Sequence, residues 1–136
     1  MIETYSQNIT VAADTAIPLN SVALLKGTSV TKSGATTLQF NCRGIYELTV
    51  SASAAADTVG NISIQLEKDG VLQPQAISTV TAANINSLYS LGFTTLVQVS
   101  HDNGPCCCTS PTNVDIVNTG EPATFDIIDV VVTKIC

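Results

Sequence analysis

The chain alternates between apolar and polar positions over most of its length. In "GIYELTVSASA", Tyr46, Leu48, Val50, Ala52 and Ala54 take turns with Glu47, Thr49, Ser51 and Ser53, a period of two that predicts a strand with one buried face. "NISIQLEKDG" repeats that period with Ile62, Ile64 and Leu66 against Ser63, Gln65 and Glu67, then reaches Asp69-Gly70. Asp-Gly tolerates the left-handed backbone of a tight hairpin, so a return strand is expected through "VLQPQAISTV". Pro74 has no amide hydrogen to donate, which places the start of that strand at an edge or a bulge.

Further strands are expected at "NITVA", "IPLNSVALL", "TTLQF", "LGFTTLVQVS", "NVDIVNTG" and "TFDIIDVVVTKI", separated by Gly, Pro, Asn and Ser clusters. Regular punctuation of this kind points to a sandwich or barrel. The stretch "TAANINSLYSL" is short, and its Thr and Asn side chains compete for backbone hydrogen bonds, so it reads as a loop running into a strand rather than a helix.

One strand departs from simple alternation. "TFDIIDVVVTKI" sets Phe125, Ile127 and Val131 on one face and Ile128, Val130 and Val132 on the other, so both faces are apolar. A small sandwich offers one core, so the second face is expected to meet a neighbouring subunit, the alternative being a loop or the N-terminal segment laid over it. With "SLGFTTLV" beside it, the expected seam comprises Leu91, Phe93, Phe125, Ile127, Ile128, Val130 and Val132. Asp126 and Asp129 interrupt the strand, and each must find a partner or reach solvent at such a seam.

Composition adds a reason for self-association. Of 136 residues, 45% are hydrophobic and only 12% charged, about half the usual charged share, with Thr, Ser and Asn making up the difference. So apolar a chain with so few charges is expected to cover part of its surface with other copies. The formal net charge is −6, and Lys26, Lys32, Arg43, Lys68 and Lys134 are scattered, so no basic stripe exists to neutralise phosphates and no nucleic-acid partner is expected. "MIETYSQNIT" lacks the basic-then-apolar order of a signal peptide, and no apolar run approaches the roughly 20 residues of a spanning helix. The expectation is a soluble product of the host cytoplasm with no membrane partner. A single domain is expected over residues 1–136, with residues 1–8 serving as an N-terminal arm or anchor.

The segments "AIPLNSVALLKGTSVT", "LQFNCRGIYELTVSASA", "GNISIQLEKDGV", "SLGFTTLVQV" and "NTGEPATFDIIDVVVTKI" together resemble the jelly-roll domains of the tumour-necrosis-factor and complement globular-head superfamily. The hallmark is Gly44-x-Tyr46, where the chain leaves a Gly turn and buries an aromatic at the start of a long strand. The likeness runs from about Ile9 to Ile135 and is nearer to small jelly-roll proteins of phages and clostridia-like gut bacteria and to exosporium glycoprotein heads. It implies an all-β jelly-roll sandwich that forms a homotrimer. The chain opens almost at its first strand with no Gly-X-Y tract, which favours a phage capsid decoration or head fibre over a spore-surface head.

Residues capable of chemistry are few. His101, the sole histidine, sits in the turn "HDNG" with no orienting group or oxyanion donor implied nearby, and Asp102-Asn103-Gly104 lacks the ligand spacing of a calcium loop. The carboxylates are spread over different strands and turns, without a close pair for glycoside chemistry. Two matches to the glycosylation pattern, at Asn8 and Asn61, carry little weight in so Thr- and Ser-rich a chain. No enzyme activity and no cofactor are expected.

The triplet Cys106-Cys107-Cys108 lies between Pro105 and Pro111, and the other cysteines are Cys42 and Cys136. Alternation along an extended triplet would let at most two of its thiols share a metal, so zinc is disfavoured. Neighbouring Cα atoms stand about 3.8 Å apart, below the usual disulfide range, so bridges inside the triplet are disfavoured as well. Two readings stay open: long-range disulfides to Cys42 or Cys136, with one of the five thiols left over or shared between chains, and reduced, buried cysteines acting as small apolar residues.

Together these readings predict a virion-surface structural trimer, bound to the major capsid protein or another virion protein. The alternative is a receptor- or glycan-binding head of a tail fibre or bacterial surface, with a host-surface glycan as partner. The absence of Trp and the presence of only three Tyr count against the latter.

Overall fold

The computed structural model describes residues 1–100 and 111–136. Among them are eleven strands: β1 (Ile2–Val11), β2 (Thr15–Ala16), β3 (Ser21–Leu25), β4 (Val30–Ser33), β5 (Thr37–Phe40), β6 (Gly44–Ala56), β7 (Gly60–Lys68), β8 (Val71–Ala82), β9 (Leu88–Val99), β10 (Thr112–Asn118) and β11 (Ala123–Lys134). They form two antiparallel sheets. The first runs β3-β1-β11-β6-β9; the second runs β4-β5-β10-β7-β8, with β2 attached to β10. The all-β sandwich expected from the alternation is present, and its strand order is that of a jelly roll.

The alternating residues fill the space between the sheets. Tyr46, Leu48 and Val50 of β6, Ile62, Ile64 and Leu66 of β7, Val114 and Ile116 of β10, and Ile128, Val130 and Val132 of β11 are all essentially inaccessible. Removing one of these larger side chains to alanine costs about 2–5 kcal/mol, because transfer energy and the cavity both count. The Gly44-x-Tyr46 start is built as anticipated. Tyr46 stacks edge-on against Phe40 with ring centroids 4.8 Å apart, and its hydroxyl donates to the Cys42 carbonyl at 2.6 Å. Gly44 adopts φ +153°, and any Cβ there would collide with the Cys136 carbonyl, so the residue is fixed by both backbone conformation and space. At the hairpin Asp69 and Gly70 have φ of 49° and 83°, the two left-handed residues that the Asp-Gly reading required.

Three local readings change. Residues 1–8 are no arm: Ile2 to Gln7 pair with β11 on one side and Ile2 to Tyr5 with β3 on the other, so β1 is an interior strand of its sheet. "IPLNSVALL" becomes a strand only from Ser21, while Ile17 and Leu19 are buried as irregular chain. That segment is clipped to β1 by Ser6, whose hydroxyl donates to the Pro18 carbonyl and accepts from the Asn20 amide, both at 2.7 Å. The third change concerns β11, where the register against β6 slips between Phe125 and Ile127. Asp126 is the extra residue of that bulge, and Asn8 with φ 51° sits at the matching skip in β1.

Candidate subunit interface

The bulge at Asp126 reverses the phase of β11 and decides what its second face is. Phe125 points inward before it, Ile128, Val130 and Val132 point inward after it, and all four are fully buried in the chain's own core. These four therefore leave the expected seam, because no neighbour can reach them. Leu91 is buried too, and Phe93 packs half-buried against the core. Of the seven seam residues only Ile127 faces outward, with 37% of its surface exposed. A strictly alternating reading put the two halves of the strand on opposite faces; one inserted residue puts them on the same face.

The outward residues of the same strands make a different surface. Strand register lines them up across the five-stranded sheet: Leu24, Glu3, Val131, Thr49 and Thr94 form one row, and Ser21, Tyr5, Asp129, Ser51 and Gly92 the next. Gln7, Ile127, Ser53 and Ser90 continue it toward one end, and Thr133, Glu47 and Leu96 toward the other. Most of these side chains are small or apolar. Leu96 is 60% exposed and Leu24 40%, at opposite margins of the sheet. Thr49 and Thr94 share a hydrogen bond of 3.2 Å in the middle.

The charged side chains in these rows are carboxyl groups: Glu3, Asp129 and, farther along β6, Glu47. Tyr5 lies directly across from Asp129 and Val131 directly across from Glu3, so the two carboxyl groups are diagonal neighbours on β1 and β11. They share a hydrogen bond. Burial in the face, then that bond and the Glu3 charge, push Asp129 up from 3.8 to about 6. The sequence flagged Asp129 as a residue needing a partner, whereas Glu3 as that partner depends on strand register. Asp126, flagged with it, is exposed at the bulge.

The second sheet turns a different surface outward. Thr37 donates to Asp115 at 2.7 Å, Ser63 bonds Thr79 at 2.9 Å and Thr119 at 3.0 Å, and Thr81 donates to Asn61 at 3.1 Å. The two sheets approach where β8 meets β9, bridged by the Gly92 amide donating to Ser78 at 3.1 Å and by Lys68 Nζ donating to the Gln98 carbonyl at 2.8 Å. Between these bridges lies a cleft of about 190 Å³ lined by Leu66, Lys68, Gln73, Gln75 and Thr95 to Gln98.

Of the remaining predicted residues, Cys42 and Cys136 lie at one end of the sandwich. Cys42 is buried there and Cys136 exposed, with Ile45 hydrogen-bonded to Cys136 across the strand start. Val99 pairs with Gly44 and Thr112 with Phe40 at that end. His101, Cys106, Cys107 and Cys108 lie outside the described residues. Among the described residues no group of three or more His, Cys, Asp or Glu could hold a metal ion.

Neither known family patterns nor curated proteins match the chain. Solved structures do. The chain is similar to the Eiger tumour necrosis factor of S. frugiperda, with a TM-score of 0.72 at 12% identity over 99% of this chain and 92% of that one. The fold is a tumour-necrosis-factor-like jelly roll. The globular domain of zebrafish complement 1qA aligns over 95% of this chain and 92% of its own, with a TM-score of 0.59 and 8% identity. The vertex protein P5 of PRD1 aligns over 99% and 96%, with a TM-score of 0.57 and 15% identity. At such identities the likeness establishes architecture and leaves role to the site.

Proposed function

We propose that this chain is a structural, non-catalytic head that assembles as a homotrimer through the outer face of the five-stranded sheet and decorates a virion surface, as a capsid decoration or head fibre. The observation that carries the assembly reading is the contrast within that sheet: a broad face of small and apolar side chains whose charged members are carboxyl groups, two of them hydrogen-bonded to each other. Covering it with further copies would bury Ile127, Val131, Leu24 and Leu96 together, at about 25 cal/mol for each Å² of apolar area removed from water. The hydrogen-bonded Thr, Ser and Asn ladder of the other sheet would then form the exterior. Three footholds on a symmetric lattice act at high effective concentration, so each contact with a capsid protein can be weak.

A virion site is supported by a charge-poor exterior and by the likeness of fold to a phage vertex protein. Cryo-electron microscopy of intact particles tests it, with trimeric density of this fold on the outside of the shell as the expected result. Particles that lack such density while the protein circulates free would contradict it.

A receptor- or glycan-binding head is favoured by one feature, the cleft between β8 and β9, whose Gln73, Gln75, Gln98 and Thr95 can both donate and accept hydrogen bonds and whose Lys68 can donate them. Binding of the purified protein to a glycan array, lost on replacing Gln75 and Gln98 by Ala, would establish this reading in place of the first.

A further inference from the structure

The first sheet carries on its outer face a feature that a purely apolar interface would not need. Strand register sets Glu3 and Asp129 as diagonal neighbours on β1 and β11, and two carboxyl groups so placed can hydrogen-bond only when one of them holds a proton. The Met1 ammonium, two residues before Glu3, donates to the Lys26 carbonyl at 3.0 Å. Across from Asp129 stand Tyr5 on β1 and Ser51 on β6, and across from Glu3 stands Val131. The other titratable group facing outward on β6 is Glu47, opposite Thr133, also acidic. On β3 the neighbour of Glu3 is Leu24, and Lys26 lies beyond the end of that strand.

We propose that the Glu3–Asp129 pair is an acid-sensitive latch: assembly of copies through this face takes up protons at the pair, so the assembly tightens in acid and loosens toward alkaline pH. The inference rests on the assembly reading above and adds a regulation to it. Covering the face removes water from both carboxyl groups and brings the pairs of neighbouring copies into one water-poor region. Desolvation and like charge each favour the protonated form. A proton bound more tightly in the assembly than in the free subunit makes association depend on pH by linkage, about tenfold in affinity per unit of difference at each site.

In the free subunit the sign is already set. Asp129 titrates at about 6 when folded against 3.8 otherwise, so the folded chain holds a proton the unfolded chain has released, and stability falls as pH rises through that window and levels off above it. In the assembly the same loss extends to higher pH.

Sedimentation equilibrium of the full chain at about pH 5.5 and about pH 8 tests the latch, with Asp129→Asn and Glu3→Gln alongside the parent. The parent's dissociation constant should rise at least about tenfold between the two conditions. Both variants, each lacking one of the two charges, should assemble at the higher pH nearly as they do in acid. The overall acidity of the chain weakens association in all three proteins alike, so the part abolished by the substitutions belongs to the pair. A parent whose assembly ignores pH, or variants that keep its full pH dependence, would overturn the latch and leave the assembly reading standing. Monomers at every pH in all three proteins would overturn both.

Discussion

The two outer faces of this sandwich are made from nearly the same alphabet and are built to opposite ends. On the second sheet Thr, Ser, Asn and Asp side chains bond one another: Thr37 to Asp115, Ser63 to Thr79 and Thr119, Thr81 to Asn61. A face whose polar groups already satisfy each other, and which mixes acceptors and donors, gains little from being covered. On the first sheet Ser51, Ser53 and Ser90 are interleaved with Val131, Ile127 and Leu96, and the carboxyl groups Glu3 and Asp129 are pressed together. That face is the one left incomplete in a single copy. The difference lies in pairing across strands, not in composition.

The most disruptive way to break the contrast is a charge placed on one face and then on the other. Thr94→Arg, midway along the edge strand β9 of the first face, should weaken self-association by at least about a hundredfold, because a guanidinium would be driven into a desolvated contact, while the isolated fold is retained. Thr79→Arg, at an exposed position on the second face, should leave association unchanged. Light scattering of the two variants at matched concentration reads the difference directly, and equal loss in both would remove the distinction between the faces.

Asn118 tests what holds the two sheets in place. It is fully buried, donates from Nδ2 to the carbonyls of Val11, Ala12 and Glu121 at 3.1–3.3 Å, and accepts from the Gly120 amide at 3.1 Å. Asn118→Ala strands these backbone groups, and a loss of about 2–4 kcal/mol is expected in denaturant unfolding. Ser63→Ala removes a hub from the polar ladder and should cost about 1 kcal/mol in the same measurement, with no change in association.

The smallest expected effect has the opposite sign. Thr4 is buried between the sheets, and its hydroxyl has no hydrogen-bond partner among the described residues. Thr4→Val keeps the shape and removes an unsatisfied group, so it should raise stability by up to about 1 kcal/mol.

Much of the fold was legible because period-two alternation is imposed by the strand itself. The Asp69-Gly70 hairpin, Pro74 on an edge strand and the loop leading into β9 followed from local chemistry, and the start at Gly44 and Tyr46 from the resemblance. The seam was less legible, for a definite reason. One bulged residue, Asp126, exchanges the faces of everything after it, and nothing in "TFDIID" distinguishes a bulge from continuous strand. Phe125 and the set Ile128, Val130 and Val132, read on opposite faces of an unbroken strand and both placed in the seam, share the one face that belongs to the core. Residues 1–8 read as an arm because Gln7 and Asn8 blur the alternation of β1 near its own bulge. The Glu3–Asp129 pair joins the two ends of the sequence, and only register brings them together.

The central claim is that one face of one sheet joins copies of the chain. Sedimentation equilibrium of the unmodified protein in mild acid, at micromolar concentration, tests it most directly. A species of three times the 14.1 kDa chain, reduced to a single chain by Thr94→Arg, is the predicted result. A folded monomer at that concentration, with Thr94→Arg indistinguishable from its parent, would contradict the claim.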